Sequence, residues 1–438
     1  MSKSDSTVKV QQPSNQLNDT AEDGATNIIM VQNVLLIWLD DSIDNQNVNC
    51  RHTITQLRST INTTMTFTDP DECVDFLTNI SDENVCMIIS AALSQHLVPF
   101  IHPIAHLQSI FILCGNKTQL EQWAQNWPKV KGVFTDVNLI GEALKQTAHD
   151  CEQNSVPISI ISDDGDIPKK KLDQLDPSFM YTQIIKEILF TITFDQKQKT
   201  QFFDYCRQQF HGNDKQLNFA KDLEANYNDK TPIWWYTCES FLYGMVNRAL
   251  RKMDPDLIIK TGFFIVDLHR QIKQLHKQQF GSTNLSTNLK LYRGQEMTKT
   301  DFENVTKFKG GLLSFNCFLS TSKNRNISLP FVNRALRDLD MIGVIFVMII
   351  DPVESTTPFA SITGASALGH KEDEVLFSMH TVFRIGDIRP MNENHRLYEV
   401  ELMITSKSDH DLRQLMDHIR KETFPESSGW YRLSLILS

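Results

Sequence analysis

The apolar residues of this 438-residue chain change their spacing twice, and any fold has to accommodate all three regimes. From about 28 to 162 short apolar runs alternate with amphipathic stretches. The runs lie at 33–39 (NVLLIWL), 64–67, 85–89, 109–113, 132–135 and 158–161; the stretches between them include 72–77, 119–127 and 139–151. Strands separated by helices of this length pair in parallel through crossovers, so a doubly wound α/β domain is expected. From 179 to about 280 the period is helical. Trp234, Cys238, Phe241, Leu242, Met245 and Ala249 recur at three- and four-residue steps and read as one buried stripe. After about 288 the period becomes two: Phe315, Cys317 and Leu319 alternate, as do Tyr398, Val400, Leu402 and Ile404, while 342–350 is a continuous apolar strand. A helical lobe followed by a strand-rich lobe makes an α+β domain with its cleft between the two.

The organisation expected is therefore a polar tail at 1–27, a flavodoxin-like or receiver-like α/β domain at 28–162, a connector at 163–178 (DDGDIPKKKLDQLDPS) and an α+β domain at 179–438. The last divides into a helical lobe, 179–287, and a β-rich lobe, 288–438. An apolar share of 41% is globular material, and the length exceeds what one ordinary core fills. The formal charge of -10 argues against nucleic acid as a partner, since the basic run Lys169, Lys170, Lys171 is brief and flanked by Asp. The longest apolar run, Met341 to Ile350, is about half of a bilayer span, and no apolar signal follows a basic start, so no membrane partner is expected. Eight cysteines without a Cys-x-x-Cys pair read as reduced thiols packed as small hydrophobes, which suits a cytoplasmic setting.

The first domain carries the outline of a site but not its parts. Asp40 and Asp41 resemble a receiver's acidic pair, yet the third strand ends at Ser90 where a phosphoryl-accepting Asp would stand, and no suitable Lys follows the fifth. No Gly-x-Gly-x-x-Gly turn follows the first strand, so no dinucleotide cradle of the usual kind is present. A protein-recognition or regulatory module is the reading that remains. His102 and His106 share a helical spacing, but Pro103 lies between them and no hydrolase glutamate accompanies them; they read as ordinary histidines.

Three segments of the last third carry chemistry: 291–295 (LYRGQ), 318–322 (FLSTS) and 372–377 (EDEVLF), each at the edge of an expected strand. Arg293 offers a planar fork for paired hydrogen bonds to phosphate oxygens. Gly294 permits close approach to the backbone. Glu372 and Glu374, two residues apart, share a face when extended. The order of the segments, the Leu-Tyr before the Arg, the Phe-Leu before the Ser and the Val-Leu-Phe after the Glu resemble the Arg-Ser-Glu pattern of arginine-specific mono-ADP-ribosyltransferases. The run from Trp235 to Asn247 is similar to the helical lobe of that family, and the resemblance spans about 179–438.

That resemblance implies an ADP-ribosyltransferase domain with a helical lobe and a mixed β-sheet core, NAD as substrate and no metal. Its catalytic residues would be Arg293, Ser320, Glu372 and Glu374. Arg293 would grip the pyrophosphate, and the peptide groups of Gly294 the nicotinamide carboxamide. Ser320 would orient Glu374, with Thr321 and Ser322 in support, and Glu374 would hold the ribose hydroxyl and stabilise positive charge at the sugar. Arg325 and Phe331 lie where the family has a ligand-contacting loop. Glu372 would receive the acceptor guanidinium of a target protein, presented against the loop 359–371 with Gly364 and Gly369 as hinges. Two other readings are a NAD glycohydrolase, with water as acceptor, and a catalytically silent NAD-binding module.

Overall fold

The computed structural model describes residues 34–44, 46–80, 83–116, 120–154, 157–161, 177–281, 288–337, 340–367, 369, 373–391, 395–406, 408–422 and 429–437. Among these, the first sheet holds β1 (Val34–Leu39), β2 (Thr64–Phe67), β3 (Asn84–Ser90), β4 (Leu107–Leu113) and β5 (Val130–Phe134), all parallel, in the order β2-β1-β3-β4-β5. Helices α1 (Val48–Thr60), α2 (Pro70–Asn79), α3 (Ala91–Ile101), α4 (Leu120–Ala124) and α5 (Val137–Asn154) accompany the strands. Along β1, Leu35, Ile37 and Leu39 enter one core cluster while Val34, Leu36 and Trp38 enter the other. Burial on both faces is why a central parallel strand is an unbroken apolar run. Helix α2 starts where Asp69 accepts from the backbone N–H groups of Asp71 and Glu72, with Pro70 at its first position.

Three of the polar residues singled out in this domain, Asp40, His102 and His106, have partners within it. Asp40 accepts from both the backbone N–H and the hydroxyl of Ser42, at 2.9 and 2.6 Å. His102 Nε2 accepts from the backbone N–H of Lys129 at 3.3 Å, and His106 Nε2 lies 2.8 Å from the Leu77 carbonyl. Their spacing does not bring the two rings to a common ligand. No helix among the described residues is long and apolar enough to cross a membrane.

The second unit opens with β6 (Ile158–Ile161) and the helical lobe: α6 (Pro177–Thr191), α7 (Gln196–Gln209), α8 (Asp214–Asn226), α9 (Pro232–Thr237), α10 (Phe241–Lys252) and α11 (Pro255–Phe280). Then come β7 (Leu289–Thr298), α12 (Lys299–Lys307), β8 (Leu312–Phe315), β9 (Leu319–Ser322), α13 (Arg325–Arg334) and β10 (Met341–Ile350). The chain closes with β11 (Phe359–Ser361), β12 (Glu374–Phe377), β13 (Thr381–Pro390), β14 (Leu397–Ile404), α14 (His410–Glu422) and α15 (Gly429–Leu437). Its strands form a mixed sheet in the order β11-β12-β9-β7-β10-β14-β13-β8-β6.

Two expectations need correction. Residues 158–161 are a strand, but not the sixth strand of the first domain: β6 pairs antiparallel with β8, from Ile158 opposite Phe315 to Ile161 opposite Leu312. The passage between sheets therefore precedes residue 158, ahead of the boundary expected at 162. Four residues of strand type fit any open edge, and only long-range hydrogen bonding selects one. The residues from Trp234 to Ala249 are not one uniformly buried stripe either, because they fall on two helices. Helix α9 stops at Thr237, Ser240 caps a new start by accepting from the Leu242 N–H, and Trp234 and Cys238 end only half-buried while Phe241, Leu242, Met245 and Ala249 are fully enclosed.

Candidate active site

Three strands of the second sheet build the site. Strand β12 runs antiparallel to β9 with Ser320 opposite Leu376 and Ser322 opposite Glu374. Ser320 and Glu374 are thus diagonal neighbours on one face, close enough for polar side chains to bond. The Ser320 hydroxyl donates to Glu374 Oε1 at 2.7 Å. Thr321 points to the opposite face, where its hydroxyl donates to the Val375 carbonyl at 2.8 Å and ties the two strands. Ser322 Oγ accepts from the Asn324 N–H at 3.0 Å, and Asn324 then caps α13 by accepting from the Asn326 N–H.

Strand β9 meets β7 at one register pair, Tyr292 opposite Ser322. Arg293 braces this narrow junction, its Nη1 donating to the Ser320 carbonyl at 2.8 Å. Arg293 as a whole is only 5% exposed. Burial pulls its pKa down, and Tyr243, Cys317, Tyr236 and Glu374 act in the opposite direction. Behind it the Tyr236 hydroxyl donates to Asn247 Oδ1 at 3.1 Å, burial holds that phenol far above its ordinary pKa, and the Cys317 thiol is pushed up to about 12. Phenol and thiol therefore stay neutral at physiological pH. Arg293 keeps its cation, because an arginine remains protonated throughout that range, and Glu374 is the carboxyl side chain that lines the cleft with it.

An open cleft has Tyr292, Arg293, Gly294, Ser320, Thr321, Ser322 and Glu374 on its sheet side and Ile327, Ser328 and Phe331 of α13 on the other. Gly294 has a packing reason to be glycine: an added Cβ would collide with the Ser328 carbonyl and lie 3.1 Å from Val332 Cγ2. Its bare backbone admits α13, which forms the opposite wall. The same helix crosses Gly343 on β10, where a Cβ would collide with Val332.

Of the residues singled out from the sequence, Arg293, Gly294, Ser320, Thr321, Ser322, Phe331 and Glu374 meet at this cleft. Arg325 does not line it. Its Nε and Nη2 donate to Glu399 Oε1 on β14 at 3.0 and 2.5 Å, because a carboxylate on a nearby strand faces the start of α13. Glu372 lies outside the described residues, as do 368, 370 and 371 of the loop before it. Ile327 and Ser328 were not anticipated, nor were Tyr236 and Asn247 behind Arg293. The pair Gly294 and Gly343 was the signal available, since glycines inside neighbouring strands mark a close crossing.

No family model and no curated protein matches this chain. Among solved structures, the ADP-ribosyltransferase HopU1 of Pseudomonas syringae pv. Tomato DC3000 is similar over 48% of this chain and 99% of its own, with 14% identity and a TM-score of 0.32. C3stau2 from S. aureus, solved with NAD, is similar over 49% and 98%, with 14% identity and a TM-score of 0.30. The Vis toxin, an ADP-ribosyltransferase from Vibrio Splendidus, is similar over 51% and 92%, with 17% identity and a TM-score of 0.27. At these TM-scores the likeness carries no argument, and what the cleft can do is decided by its own residues.

Proposed function

We propose that this protein transfers ADP-ribose from NAD to arginine side chains of target proteins and releases nicotinamide. The observation that supports the reading most is the 2.7 Å hydrogen bond from Ser320 to Glu374 in the same cleft as the buried guanidinium of Arg293. A dianionic pyrophosphate calls for a fixed cation with paired donors, which suits Arg293. A ribose losing its nicotinamide develops oxocarbenium character and calls for a held carboxylate, which suits Glu374. The bond between ribose C1 and the nicotinamide nitrogen breaks with its electron pair going to nicotinamide, which leaves neutral. A nitrogen of the target guanidinium gives its pair to C1 and loses a proton to a carboxylate. Glu372 takes that last role in the reading of the Glu-x-Glu motif, and arginine as acceptor rests on that residue.

Incubating the full chain with labelled NAD and an arginine-rich acceptor tests this. Label should appear on protein, with mass spectrometry placing it on arginine, and Glu374→Gln should slow NAD consumption by about 100-fold or more. Equal rates for wild type and Glu374→Gln would remove Glu374 from the chemistry. Free ADP-ribose beside unmodified protein would make water the acceptor and exclude transfer.

A further inference from the structure

Helix α13 is an unusual wall for a binding cleft, because its own hydrogen-bond ladder is interrupted. Pro330 sits inside this ten-residue helix and has no N–H to donate. The helix is held instead by anchors from elsewhere: the Asn324 cap, Arg325 on Glu399, Val332 against Gly294 and Gly343, and Arg334 at its last position. The last anchor comes from the other domain. Arg334 Nη2 lies 2.7 Å from Oδ2 of Asp150 on α5, and the two side chains are only 25% and 15% exposed. The second carboxylate oxygen of Asp150 accepts from Gln146 Nε2 at 2.9 Å, so the anion is itself fixed. One turn back along α13, the Phe331 ring carries the Arg334 guanidinium over its face at 5.1 Å from the centroid, and Phe331 lines the cleft.

We propose that Asp150 is a positioning residue for the cleft: by pinning Arg334 it holds Phe331 and the end of α13 in place, and so makes NAD binding depend on the first domain. The proposal rests on NAD as the ligand of this site and adds to it the route by which the first domain acts. A guanidinium held by a half-buried carboxylate keeps its place over the ring, whereas an unheld one samples several rotamers and releases the ring with it. The effect belongs to ligand binding. Neither Asp150 nor Arg334 lines the cleft, so neither carries the reaction itself.

The test uses the full chain with Asp150→Asn, Arg334→Asp and the conservative variant Asp150→Glu, which keeps both the carboxylate and the Arg334 guanidinium over Phe331. Amide hydrogen exchange over residues 325–334, measured without ligand, should speed up several-fold in Asp150→Asn and in Arg334→Asp and stay near the wild-type rate in Asp150→Glu. In turnover assays KM for NAD should rise about fivefold in the first two with kcat within about twofold, and Asp150→Glu should again stay near wild type. Unchanged exchange in Asp150→Asn would overturn the proposal, as would faster exchange with an unchanged KM. A wild-type chain that neither binds nor consumes NAD would refute the function proposed above, and the exchange measurement would still decide whether Asp150 orders α13.

Discussion

His269 Nδ1 lies 2.7 Å from the Ser378 hydroxyl, and its ring stacks on Phe190 with centroids 3.9 Å apart. Burial pulls its pKa down to about 3, with Lys186, Lys273 and Arg270 adding to the shift. An unfolded chain takes up this proton near 6.5, the folded one only near 3. Between those values the unfolded state binds more protons, so the stability present above pH 6.5 is lost as pH falls toward 3. The slope for one linked proton is at most about 1.4 kcal/mol per pH unit. Melting temperature measured from pH 7 to pH 4 should therefore fall less steeply in His269→Gln than in wild type; identical slopes would take His269 out of the acid transition. At the cleft the logic differs. Arg293 stays charged despite burial because its intrinsic pKa is so high, and the Glu374 carboxylate that lines the same cleft accepts from the Ser320 hydroxyl.

Between elements, the cleft is as much a product of α13 as of the strands. The helix crosses β7 and β10 where Gly294 and Gly343 leave the backbone bare, and Val332 fills the space. Gly294→Ala should push α13 outward and cost about 1–3 kcal/mol of stability, read as a lower denaturation midpoint. Gly364, with nothing within 4 Å of an added Cβ, should accept alanine with little change. Equal midpoints for the two substitutions would mean that the helix yields freely. Strand β9 contributes in another way. Its brief contact with β7 and longer pairing with β12 leave Ser320 and Glu374 facing the cleft and Thr321 locking the strands behind them.

At the scale of the whole molecule the two domains are tied by more than a connector. Arg248 donates from both terminal nitrogens to Glu83 at 2.9 and 3.1 Å, and Asn213 Nδ2 donates to the Arg58 carbonyl at 2.7 Å. Strand β6 covers the edge of β8, and its fully buried Ser159 accepts from Asn316 Nδ2 at 3.1 Å. A chain beginning at residue 163 should therefore melt lower and aggregate more readily than one beginning at 157, since it leaves an open edge and a buried amide without its hydroxyl. Thermal melting with light scattering checks this, and equal behaviour would show β6 to be dispensable.

The succession of elements was legible in the residues alone, because an apolar period of two or of three to four records which side of a local backbone is turned inward. The five parallel strands of the first sheet, the helical lobe and the strand-rich lobe are all written in that way, and so is the place of Ser320 and Glu374 at the start of short strands, whereas Arg293, expected at a strand edge, lies inside β7. Tertiary structure decided the rest. That β6 leaves the first sheet for β8, that Arg325 turns to Glu399, that Gly294 serves the crossing of α13, and that Asp150 reaches Arg334 all depend on groups far apart along the chain. A local pattern shows that a residue is charged, bare or apolar. Which distant group it meets is chosen only when long-range packing closes the molecule.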